Sequence, residues 1–88
     1  MAYNESKEYK LQASSLKTTA ERVKYMMDEL QITNQTDFGS LCGASRSVVN
    51  QWLVGSIKSI DARYAFKLDD NTPFAARWIM LGEGNPKK

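Results

Sequence analysis

Residues 35–55 read QTDFGSLCGASRSVVNQWLVG, and the hydrophobic period of this stretch decides the fold. It divides into two short amphipathic segments joined by Gly43-Ala44-Ser45, the pattern of two helices meeting at a tight turn. Asn34 caps the first segment, and Asp37 three residues on completes the box while placing a carboxylate at the electropositive helix start. Phe38, Leu41 and Cys42 form its apolar face. Gly43 stands where helices commonly end in a left-handed residue, and Ser45 offers a hydroxyl to the unpaired N–H groups of the next helix. In the second segment, at about 100° per residue, Val48, Val49, Trp52 and Leu53 share one arc, and Arg46, Ser47, Asn50 and Gln51 share the opposite one. Only Val54 breaks the polar character of that outer arc. No Asp or Glu occurs from residue 38 to residue 60, so this face meets a polyanion without like-charge repulsion.

In these residues the chain resembles the phage repressor and Cro (XRE-type) family of helix-turn-helix DNA-binding domains. Counting from Gln35, the small residue Gly39 is fifth, Gly43 ninth, Val49 fifteenth and Trp52 eighteenth. The likeness extends more weakly over residues 18–84, ending in the run Trp78-Ile79-Met80-Leu81-Gly82-Glu83-Gly84, which is similar to the family's usual close. Gly39 departs from the family's preference for Ala; it keeps the close helix crossing but gives up roughly 1 kcal/mol of helix propensity. The resemblance implies an all-α, five-helix repressor-like domain with the helix-turn-helix as helices 2 and 3. It also implies that Arg46, Ser47 and Gln51, supported by Asn50, read base edges in the major groove of duplex DNA. The resemblance further implies that Gln35, Thr36, Ser45 and Lys58 hold the DNA backbone.

Composition agrees with that class. Eighty-eight residues make one domain, and 42% hydrophobic with 25% charged residues is the balance of a globular chain. The net charge of +2 permits binding to nucleic acid without demanding it. No apolar run is long enough to cross a bilayer and the first residues lack a signal-peptide core, so a cytoplasmic protein is expected. Cys42 is the only cysteine and there is no histidine, which removes an internal disulfide, imidazole bases and the commonest metal ligands. No cofactor and no metal are expected, and the scattered carboxylates and lone serines assemble no catalytic set.

Along the chain, residues 1–17 are polar with balanced charges and read as a flexible arm. Residues 18–84 form the domain and 85–88 a tail. Thr18 and Glu21 make a capping box for helix 1, with Ala20, Val23, Met26, Met27 and Leu30 inward and Glu21, Arg22, Lys24, Asp28 and Glu29 outward. Residues 31–33 form a short connection with Ile32 tucked beneath. Ser59 is the expected cap of a helix that turns Ile60, Tyr64, Ala65 and Leu68 inward. Its acidic end, Asp69-Asp70, lies near the start of the next helix. Thr72 as cap and Pro73 at the first position mark the start of helix 5, with Phe74, Trp78 and Leu81 on one face.

Phe74, Trp78, Ile79, Met80 and Leu81 exceed what one small core covers, leaving two of them outside it and making helix 5, through Phe74, Trp78, Ile79 and Met80, the expected seam of a homodimer. The function that the resemblance implies is that of a phage or prophage transcriptional regulator, a Cro-like repressor on a two-fold symmetric operator. Only 33 residues follow Gly55, a length that resembles Cro or the DNA-binding half of a longer repressor. The competing class is a helix-turn-helix protein-interaction module, which would lose the polar outer arc that Arg46, Ser47, Asn50 and Gln51 keep.

Overall fold

The computed structural model describes residues 16–88. The expected arm over residues 1–17 thus falls outside the described residues except for Leu16 and Lys17. Five helices follow: α1 (Thr19–Leu30), α2 (Gln35–Ser40), α3 (Arg46–Val54), α4 (Ala62–Asn71) and α5 (Ala76–Leu81). Among the described residues there is no strand, only an isolated antiparallel bridge between Phe74 and Lys87.

α1 begins at the expected capping box. The Glu21 N–H donates to the Thr18 hydroxyl and the Thr18 N–H donates to the Glu21 carboxylate, each at 3.1 Å. Val23, Met26 and Met27 enter the core while Ala20 and Leu30 flank it half-buried. Ile32, also half-buried, packs against the core from the connection, as its apolar side chain requires.

Arg22 corrects the helical-wheel reading. Expected to face outward, it is only 3% exposed. Its Nε donates to the Ile79 carbonyl at 3.0 Å, its Nη2 to the Met80 carbonyl at 3.4 Å and its Nη1 to the Leu16 carbonyl at 3.3 Å. The guanidinium thus satisfies carbonyls in the last turn of α5, where the helix dipole favours a cation. Burial lowers its pKa.

The core is aromatic at one end. Phe74 and Trp78 stack at 5.8 Å, and Tyr25 meets them edge-on at 6.0 and 5.8 Å. Phe74, Trp78 and Ile79 have no exposed surface, which corrects their assignment to a dimer seam; Met80 is half-buried and Leu81 is 59% exposed. Of these five residues only Leu81, expected inward, is exposed, while Met80 packs half-buried against the core.

The starts of the last two helices also differ from expectation. α4 begins after Asp61 rather than at Ser59, so the buried Ile60 precedes the helix instead of riding on it. Thr72 ends α4: its hydroxyl donates to the Leu68 carbonyl and accepts from the Phe74 N–H. Pro73 lies outside α5, whose first N–H, at Ala76, is capped instead by the Asp69 carboxylate at 2.8 Å. Nor are residues 85–88 a loose tail. The Ala75 N–H donates to the Pro86 carbonyl at 2.9 Å and the Lys88 N–H to the Pro73 carbonyl at 2.8 Å. Lys87 pairs with Glu29 at 2.9 Å, and the Lys88 ammonium bonds both the backbone carbonyl and the carboxylate of Asp69.

Two predictions follow from these contacts. Arg22→Ala leaves three carbonyls without this donor and a cavity behind, and should lower stability in urea by about 2–4 kcal/mol; Arg22→Lys should recover only part of it. The Asp69 carboxyl is held below the usual aspartate range, first by the Ala76 N–H and then by Lys88. A depressed folded value means that its stabilisation is complete above about pH 4 and is lost as pH falls through that lower value. Urea midpoints at pH 5 and pH 3 should therefore differ less for Asp69→Asn than for the parent chain.

Candidate nucleic-acid interface

The site is built on the contact between α2 and α3. α2 is six residues long and starts at Asn34, whose Oδ1 accepts the Asp37 N–H at 2.8 Å and whose Nδ2 donates to the Asp37 carboxylate at 2.9 Å. Asp37 thus closes the cap through the Asn34 side chain. Phe38 and Cys42 are buried and Leu41 half-buried, and burial pushes the Cys42 thiol pKa up. The Gly39 carbonyl accepts N–H bonds from Cys42 at 3.1 Å and from Ala44 at 3.0 Å.

At Gly39 the backbones approach so closely that a Cβ would run into the Ala44 carbonyl oxygen and lie 3.3 Å from Val49 Cγ2. The glycine is therefore a steric requirement of the crossing, beyond the loss of helix propensity that the sequence suggests. Gly43, at φ +77°, then reverses the chain through the left-handed region. Ser45 caps α3, its Oγ accepting the Val48 N–H at 3.2 Å.

α3 is oriented by what it buries. Val49 and Trp52 sit in the core, Val48 and Leu53 pack half-buried beside them, and Trp52 meets Tyr64 of α4 edge-on at 5.5 Å. The opposite arc therefore faces out: Arg46, Ser47 and Asn50 are exposed and Gln51 is half-buried on the flank. Gln35, Arg46, Ser47 and Asn50 line one shallow open concavity. Within it the Gln35 Nε2 donates to the Asn50 Oδ1 at 3.3 Å, tying the start of α2 to the middle of α3. Ser45 and Thr36 are exposed near these helix starts, whereas Gln51 does not line the concavity.

Lys58 is exposed on the connection after α3, and the Thr19 hydroxyl fixes its carbonyl at 2.8 Å. Arg46 and Lys58 are the only charged residues between positions 38 and 60. The supporting contacts of Thr19 to Lys58 and of Asn71 Nδ2 to the Leu41 carbonyl at 2.8 Å span 39 and 30 residues, so no local pattern announces them.

No protein-family model, curated protein or solved structure matches the chain. Among the described residues no helix is long and apolar enough to cross a membrane.

Gly39→Ala sets a gain of about 1 kcal/mol in helix propensity against a clash with backbone that a side chain cannot swing away from. We expect a net loss above about 1 kcal/mol by thermal unfolding. An unchanged or raised midpoint would show that the Ala44 carbonyl moves aside.

Proposed function

We propose that the protein is a sequence-specific transcriptional regulator that binds double-stranded DNA, with α2 and α3 acting as a helix-turn-helix and α3 entering the major groove. The single observation that carries this reading is the outer arc of α3. It is polar at Arg46, Ser47 and Asn50, has no acid along residues 38–60, and is held outward by the burial of Val49 and Trp52. A face of this kind offers what a base edge and a phosphate need. A protein-docking helix would instead present a mainly apolar or acidic arc, whereas here Val54 is the one apolar member.

In this mechanism Arg46 donates to guanine O6 and N7 together, and Gln51 pairs with adenine N6 and N7 from the flank. Ser47 and Asn50 support them. Gln35, Thr36, Ser45 and Lys58 hold phosphates, aided by backbone N–H groups at the helix starts. A two-fold dimer places two α3 helices about 34 Å apart on one face of the duplex, and occupancy of such an operator excludes polymerase. With Phe74, Trp78 and Ile79 in the core, Met80 and Leu81 are the large apolar residues of α5 left for a seam.

Random-site selection on duplex DNA tests the reading, and recovery of a two-fold symmetric motif is the expected outcome. Failure to enrich any sequence would overturn it. Arg46→Ala should flatten preference at one base pair per half-site, by about 1–3 kcal/mol, with the salt slope nearly unchanged. A uniform loss with a slope reduced by about one would make Arg46 a phosphate clamp instead. Gln35→Ala should weaken all sequences and, by releasing Asn50, also broaden preference beneath that residue, as read from competition binding across single-base variants.

A further inference from the structure

Val54 closes α3 and is 65% exposed, more than the exposed Phe66 and Leu81 at 57% and 59%. A β-branched residue is a poor choice for an exposed helix end unless its methyl groups have a use. Its place on the wheel is informative. At about 100° per residue Val54 falls roughly 30° from the centre of the arc set by Arg46, Ser47 and Asn50, whereas Gln51 falls roughly 90° away. Val54 thus stands nearer the middle of the outward face than a residue expected to read bases.

Its surroundings favour nucleic acid over a protein partner. Val54 helps line a depression together with Ala20, Leu53 and Ile57, and Lys17 and Lys58 line it too. Leu53 and Ile57 are themselves packed against the core, so the depression does not cover Val54. Cations beside an exposed aliphatic group suit a ligand that is anionic along its backbone and apolar at a point on its edge.

We infer that Val54 is a specificity-determining residue that contacts the 5-methyl group of a thymine in the major groove, an inference that rests on the DNA-binding reading above. Among the standard bases only thymine presents a methyl group in that groove. Valine offers methyl groups and neither donor nor acceptor, so a guanine or cytosine edge pressed against it would lose hydrogen bonds to water and gain none. Eight residues at about 1.5 Å each separate Val54 from Arg46 by about 12 Å along α3, and base pairs rise about 3.4 Å each. For α3 lying along the groove, the thymine is about three to four base pairs from the position read by Arg46.

The test uses the full chain and the duplex recovered by random-site selection, with each thymine replaced singly by deoxyuridine to delete one methyl group. Wild-type protein should bind about three- to fivefold more weakly at one such position per half-site, the worth of one buried methyl group. Val54→Ala should bind the parent duplex more weakly by a similar factor and be indifferent to that one substitution, while responding to every other as wild type does. An unchanged thermal midpoint for Val54→Ala confirms that the fold is intact. A Val54→Ala protein with wild-type affinity and the wild-type deoxyuridine profile overturns the inference and leaves DNA binding standing. A recovered motif with no thymine at that spacing does the same. Absence of sequence-selective duplex binding overturns the regulator reading, and this inference with it.

Discussion

The absence of a side chain at Gly39 sets the geometry of the whole outer face. α2 has six residues and would not persist as an isolated helix, so its position comes from packing. Phe38 supplies burial, and Gly39 supplies proximity, because its backbone lies where any Cβ would meet the Ala44 carbonyl oxygen. The same residue's carbonyl receives the N–H groups of Cys42 and Ala44, so one position both ends α2 and draws in the start of α3. With the crossing fixed, Val49 and Trp52 have one place to go, and the arc carrying Arg46, Ser47 and Asn50 must face solvent. The 3.3 Å bond between Gln35 and Asn50 depends on this crossing, since the two residues belong to different helices.

The other end of the molecule is closed by a cation that pairs with carbonyl groups rather than with an acid. Arg22 crosses from α1 to the last turn of α5 and also holds the Leu16 carbonyl, so it joins the segment leading into α1 to the end of α5. Gly82, at φ +70°, leaves room for this: a Cβ there would come within 2.9 Å of the guanidinium. The C-terminal residues add a second closure. The solvent-screened ion pairs of Lys87 and Lys88 add little to it. The backbone bonds from Ala75 to Pro86 and from Lys88 to Pro73 satisfy groups that residues 73–75 and 86–88 would otherwise leave to water, and they define the register of the closure.

What could be read in the sequence was local. Thr18 with Glu21, Asn34 with Asp37 and Ser45 with Val48 are pairs three residues apart, and the left-handed turns at Gly43, Gly55 and Gly82 depend on a single residue each. The apolar arcs of α1 and α3 followed from period alone. Arg22 was misplaced because a helical wheel sees charge but not the carbonyls of Ile79 and Met80, 57 and 58 residues away. Thr72 and Pro73 form a sound helix-start signal, yet Thr72 serves the end of α4, and Asp69 caps α5 from the preceding helix. Residues 85–88 are polar enough to be a tail; their pairing with Pro73, Phe74 and Ala75 is visible only in three dimensions. Around the candidate site the exposed residues were legible, while Thr19 and Asn71, which brace the loop and the turn beneath them, were not.

On the proposed reading, the sparse charge of the site has its own consequence. Arg46 and Lys58 are the only cations between residues 38 and 60, and the net charge of the chain is +2. Affinity that is indifferent to sequence grows with the number of neutralised phosphates, so a face with so few cations gains little from DNA at large. Its neutral groups carry the larger share. Ser47 and Asn50 are short, and Asn50 is already oriented by Gln35, so ordering them on a base edge costs less entropy than fixing a lysine-rich surface. Weak general attraction combined with pre-oriented hydrogen-bonding groups favours discrimination over raw affinity, and a regulator that must ignore a large excess of wrong sites depends on that ratio.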